Sequence, residues 1–368
     1  MKLLSLLLAF ALSASAQTTS APVVIKGEGC PLVFFLQFSP DGGELARGCA
    51  FGPIQLFDTA TYKKSRTFRS EVDYTPGLKG FAYSPDGKTM ATALGRGGAL
   101  IWRADDAGKP VLTEGKPLNP FFGVDKVYAL DKPLHVLVPP SPSSDQFDSV
   151  LSADYSPDGK LILTKHHNGH VKTWNASTWT LQSELPIGEK GNSILFTALA
   201  IAPDSKSFVI GDQSGLLHVW NLDSKSETRT VPAPGVSLPI VHLVFSPDGK
   251  TLVAIHQGKT AFDAVAMLWN TADWTAQSKP GFGAAAFSPD GRLLVLGGRE
   301  IKLLDPASRN EIRTIKAPTV TRGEVLVGDT PDADRELPYS ITALALSPDG
   351  ATLAVGCPGS LRLLNLKP

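Results

Sequence analysis

Excess charge of either sign is missing from this chain, which sets 35 Lys and Arg against 35 Asp and Glu in 368 residues. Losing Lys2 with an N-terminal leader would leave one more acid than base. That balance offers no electrostatic footprint for nucleic acid or an anionic membrane surface. Cysteine is scarce, with three copies. No Cys-x-x-Cys-His haem attachment, no Gly-x-Ser-x-Gly elbow and no glycine-rich phosphate loop between a strand and a helix occurs. Gly95-Arg96-Gly97-Gly98 is glycine-rich but reads as a β-turn whose positions take positive φ. No cofactor is expected. Beyond the first residues, no apolar run is long enough to cross a bilayer.

What is present begins with Met1-Lys2, a leucine-rich stretch from Leu3 to Leu12, and small residues at Ala14 and Ala16 before Gln17. This is the pattern of a secretory signal peptide cut after Ala16. The expected organisation is therefore a leader at 1–16 and one exported, soluble domain at 17–368, placed in a periplasm or outside the cell.

Self-similarity is the strongest signal. Ser39-Pro40-Asp41-Gly42 recurs at Ser84, Ser156, Ser246, Ser288 and Ser347, with a weaker copy at Ala202-Pro203-Asp204-Ser205. Most neighbouring copies lie about 42 to 46 residues apart, the period of a four-stranded propeller blade. Short apolar runs flank each copy, as in Val241 to Phe245, and read as strands a and b of a hairpin. In the turn, Pro presets φ, Asp bonds its own backbone and Gly takes the left-handed position. Asp41, Asp86, Asp158, Asp204, Asp248, Asp290 and Asp349 are thus turn residues, because identical copies around a ring do not converge on one pocket.

A third run closes each unit on Phe57-Asp58, Trp102-Arg103, Trp174-Asn175, Trp220-Asn221, Trp269-Asn270, Leu304-Asp305 and Leu364-Asn365. With this element the chain resembles the WD-repeat family over nearly its whole mature length. The resemblance implies an all-β fold, a seven-bladed β-propeller of four-stranded antiparallel blades, and a binding role. The Gly-His pair that precedes strand a in that family, and that hydrogen-bonds the strand-c Trp, is absent from every copy. Apolar packing between blades outweighs that loss, so Phe57, Trp102, Trp174, Trp220, Trp269, Leu304 and Leu364 are expected in the core.

The seventh unit ends after strand c, and Val23-Val24-Ile25 is a β-rich segment with no blade of its own. We expect it to pair as the outer strand of blade seven and close the ring. Cys49 and Cys357 occupy the same place, the end of strand b, in blades one and seven, and Cys30 lies between those blades. In the family topology the d-to-a loops and b-to-c turns share one face, so any two of the three could bridge. Small buried thiols in equivalent slots are the alternative.

Candidate contact residues come from that face and from two insertions, about 30 residues within 103–149 and about 15 within 318–339. Phe121, Phe122, Tyr128, Arg96 and Arg299 are candidates for a protein partner, although Leu134 to Val138 also reads as the outer strand of blade two. His166, His167 and His170 are metal candidates by their spacing. A polar surface turn is the plainer reading of the three. Asp329, Asp332, Asp334 and Glu336 lack the spacing of a calcium loop. The leading functional expectation is a non-catalytic scaffold, itself monomeric. A lactonase-like hydrolase with His242, His256 and Arg299 near the channel is the rival, and a part of an envelope assembly, as in the periplasmic Tol propeller, is a third.

Overall fold

The computed structural model describes residues 22–26, 30, 32–49, 54–68, 80–93, 99–104, 111–112, 128–129, 134–137, 150–166, 168–187, 198–258, 263–318, 320–321, 336–337 and 341–367. Among them lie seven four-stranded antiparallel sheets arranged as blades in a ring, and no helix. Blade three shows the unit: strand a is Val150–Tyr155, b Leu161–His166, c His170–Asn175 and d Leu181–Pro186. Strands a of adjacent blades lie side by side about the axis.

Turn chemistry sets each a-to-b hairpin. Ser156 Oγ donates to Asp158 Oδ1 at 2.7 Å and accepts from Leu161 N at 2.9 Å, while Gly159 sits at φ 70°. The same serine-aspartate bond recurs in every described turn that has the serine. The serine hydroxyl, then the backbone N–H two residues on, holds Asp41, Asp86, Asp248, Asp290 and Asp349 below the usual carboxylate range. Blade four has Ala202 and Ser205 instead. There Ser205 itself takes φ 58°, and its hydroxyl accepts a bond from Asp158 N of the preceding blade at 3.0 Å. Neighbouring turns also interlock: a Cβ added at Gly42 of blade one would meet Pro348 of blade seven at 3.4 Å.

Blade seven is completed from the start of the chain. Val23–Lys26 pairs antiparallel with strand c, Val23 opposite Leu363 and Lys26 opposite Ser360. Val23 and Ile25 pack on a cluster that joins Leu361 and Leu363 of blade seven to Val33, Leu36 and Leu45 of blade one. Strand interiors read as continuous apolar runs because each blade is covered on both faces by its neighbours. In blade two, His135–Leu137 forms the outer strand, paired with Ala99 to Ile101. Within the two insertions, Val111–Leu112 pairs with Tyr128–Ala129, and Val320–Thr321 with Glu336–Leu337.

Candidate interaction face

Strand b ends, and strand a begins, on the face opposite the Ser-Pro-Asp-Gly turns. Val33 stands across from Cys49, Val150 from His166, and Ile240 from His256. Just after that first pair the register slips by one residue in blades one, three, five and six. Such a bulge leaves one residue of strand a outside the ladder and redirects it. In blade one that residue is Phe34, whose ring is 46% exposed. The Cys30–Cys49 disulfide lies beside it, with Cα atoms 5.1 Å apart. Cys357 remains a buried thiol.

Among the described residues, no three His, Cys, Asp or Glu side chains gather as a metal site would require. His166 is buried and its Nε2 lies 2.9 Å from Thr164 Oγ1. His170 points elsewhere, with Nδ1 2.5 Å from Glu184 Oε1. The structure therefore does not bring these two imidazoles together. His167, Arg96, Phe121 and Phe122 lie outside the described residues, as does residues 1–16. Tyr128 is placed only in the backbone of its short ladder, which runs beside the outer strand of blade one. Arg299 is exposed in the b-to-c turn of blade six.

His166 has a different role, beside a strand-c tryptophan. The loss of the Gly-His pair does not strip every tryptophan of its partner. Trp102 Nε1 donates to Thr92 Oγ1, and Trp174 Nε1 to Thr164 Oγ1, each at 2.9 Å. The Thr164 hydroxyl that accepts the indole bond is also hydrogen-bonded to His166 Nε2, with the donor set by the imidazole tautomer. An imidazole at the end of strand b thus completes a Trp-Thr-His chain. Blades four and five carry Ile210 and Ala254 where Thr164 stands, and the buried Nε1 of Trp220 and of Trp269 finds no partner among the described residues. No signal in the repeat spacing marks this difference, because it depends on one strand-b position pointing at the ring. Trp174→Phe should therefore cost about 1–2 kcal/mol more stability than Trp269→Phe, since only the first breaks a buried network. Chemical denaturation of both variants measures the difference.

On the innermost strands, Ala82, Ala200, Ala286 and Ala345 stand where Asp154 stands in blade three. Burial raises the Asp154 pKa and lowers that of Lys165 on the next strand, with attraction between the two opposing both shifts. Lys165 itself replaces a close-approach glycine: at the matching Gly356, a Cβ would meet Val33 Cγ1 at 2.8 Å. His242 touches solvent on strand a of blade five, yet the protein around it pushes its pKa down. His256 is buried with Nδ1 3.0 Å from Leu238 O, and burial lowers its pKa too. Asp154 and Lys165 thus pair on blade three, and the two histidines lie on blade five.

These features define the class: a seven-bladed β-propeller of WD-repeat type. No family model matches the chain. It is 31% identical over 94 residues to TBC1 domain family member 31 of Oryzias latipes, a match covering 26% of this chain and 9% of that protein. Target of rapamycin complex subunit LST8 of Bos taurus is 24% identical over 122 residues, covering 33% of this chain and 34% of the relative. WD repeat and HMG-box DNA-binding protein 1 of Xenopus laevis is 28% identical over 127 residues, 33% of this chain and 11% of the relative. The matched stretches thus span from under a tenth to about a third of these relatives.

Proposed function

We propose that this propeller is an exported, non-catalytic scaffold that binds a protein partner through the face bearing the d-to-a connections and b-to-c turns. The observation that carries the reading is Phe34. A large aromatic left 46% exposed by a bulge, beside a disulfide that ties the segment before its strand to the end of strand b, is the arrangement of a preorganised contact residue. The alanine-rich innermost strands support a scaffold over a hydrolase, because a channel enzyme needs several converging polar groups. Export rests on the leader-like Met1 to Ala16 and accords with a disulfide-bonded fold. Relatives such as a target of rapamycin complex subunit make a protein partner the natural expectation.

The test is affinity capture from the protein's own compartment with the native chain and Phe34→Ser in parallel. The substitution sits on the surface, so melting should shift by no more than about 0.5 kcal/mol equivalent. Recovery of the specific partner should fall at least about tenfold, the loss of a hot-spot aromatic. Equal recovery by both chains removes Phe34 from the interface. Metal-dependent esterase activity with no partner recovered overturns the scaffold reading.

A further inference from the structure

The b-to-c turn of blade three sets an asparagine directly before a glycine, Asn168-Gly169, between His166 at the end of strand b and His170 at the start of strand c. Asn168 is exposed, and Gly169 takes φ 89°, the left-handed conformation that glycine supplies in a tight hairpin turn. The asparagine side chain folds forward along the chain, where its Oδ1 accepts from His170 N at 3.1 Å. That bond draws the side-chain amide alongside the intervening peptide, whose nitrogen belongs to Gly169.

The repeat supplies its own comparisons. Asn175 and Asn270 make the same bond in their c-to-d turns, accepting from Ser177 N and Ala272 N, each at 2.9 Å. Their next residues are Ala176 and Thr271, so a Cβ stands beside each of those backbone nitrogens. Of the three, only Asn168 is followed by a residue that has none. The three nitrogens are also held differently: Ala176 N and Thr271 N donate across their turns at 2.9 and 3.0 Å, whereas Gly169 N reaches His166 O at 3.2 Å, the long end of the normal range. The His170 N–H that already meets Asn168 Oδ1 is placed to stabilise negative charge on that oxygen when a bond forms to its carbon. Nitrogen and amide carbon belong to adjoining residues, so no encounter has to be found.

We propose that Asn168 is a self-modification site, at which the Gly169 backbone nitrogen converts the side-chain amide into a mixture of aspartate and isoaspartate. The nitrogen gives its proton to base and bonds to Asn168 Cγ. The Cγ–Nδ2 bond then breaks, and ammonia leaves carrying a proton in return. A five-membered succinimide remains, and water adds to either of its carbonyl carbons to open the ring. Opening at the main-chain carbonyl routes the backbone through Cγ and lengthens the turn by one carbon. Gly169 O accepts from Ile187 N at 3.0 Å, just past strand d, so a longer turn loosens the corner where strands b, c and d of blade three meet. This corner lies on the face assigned above to a partner, but the chemistry stands whether or not a partner binds there.

Ageing the full chain at mildly alkaline pH, followed by peptide mapping that separates asparagine, aspartate and isoaspartate, tests the proposal. Asn168 should be lost at least about tenfold faster than Asn175 or Asn270, a barrier lower by about 1.4 kcal/mol. The products should include isoaspartate, and the loss should slow as the pH falls, because the attacking nitrogen must first give up its proton. Asn168→Gln keeps the amide but would need a six-membered ring, so its side chain should survive the same treatment. Hydrogen exchange at the Ile187 amide should be faster in the aged native chain than in the aged variant. Loss at Asn168 no faster than at Asn175 and Asn270 overturns the proposal, as does aspartate without isoaspartate, the mark of direct hydrolysis. Equal Ile187 exchange in the two aged chains overturns the loosening of the corner.

Discussion

Removing residues 22–26 should cost about 4 kcal/mol of stability and make the protein prone to self-association. The magnitude combines two half-buried aliphatic side chains, Val23 and Ile25, with a four-residue ladder to Ser360–Leu363, less the entropy of ordering the strand. The association follows from topology. Without its partner, strand c of blade seven becomes an open edge of unpaired backbone groups. A pair of single substitutions separates closure from simple loss of chain. Ile25→Asp faces the cluster between blades seven and one and should cost about 2 kcal/mol. Val24→Asp, at a position 39% exposed, should change little. Thermal melts and size-exclusion profiles read both effects, and a melting temperature unmoved by the deletion would show that the ring closes without this strand.

The second large effect belongs to the disulfide. Cys30→Ser with Cys49→Ser should lower stability by about 3 kcal/mol, the loop-closure entropy expected for cysteines 19 residues apart. The bridge joins the segment after blade seven's outer strand to strand b of blade one, so it and Val23–Lys26 hold the same seam. Combining the double substitution with Ile25→Asp should therefore give a non-additive loss. Peptide mapping under non-reducing conditions should recover a Cys30–Cys49 pair and a Cys357 thiol. Three alkylated thiols in protein taken from its native compartment would refute the bridge.

Much of the architecture is legible in the sequence because repetition amplifies weak local signals. One Ser-Pro-Asp-Gly turn is an ordinary hairpin corner; seven related turns at a blade-like period, each followed by two apolar runs, leave little choice of fold. The pairing of Val23 to Ile25 with the last blade is readable for a related reason. A four-stranded unit that ends after three strands needs an outer partner, and one unassigned β-rich segment is at hand. In both cases the information is local, carried by turn residues and by the alternation of apolar side chains.

What the sequence by itself determined is thus the blade count, the hairpin turns and the closure of the ring. Only the tertiary structure decided how the cysteines pair, which tryptophans keep a hydrogen bond, where Phe34 is exposed and what holds the buried Arg47. The physical reason is distance along the chain. Turn and strand preferences act between near neighbours. A polar contact depends instead on one register position meeting another far away, so Arg47 in a row of uncharged residues reads as an anomaly until the folded blade sets Gln55 and Phe57 against it.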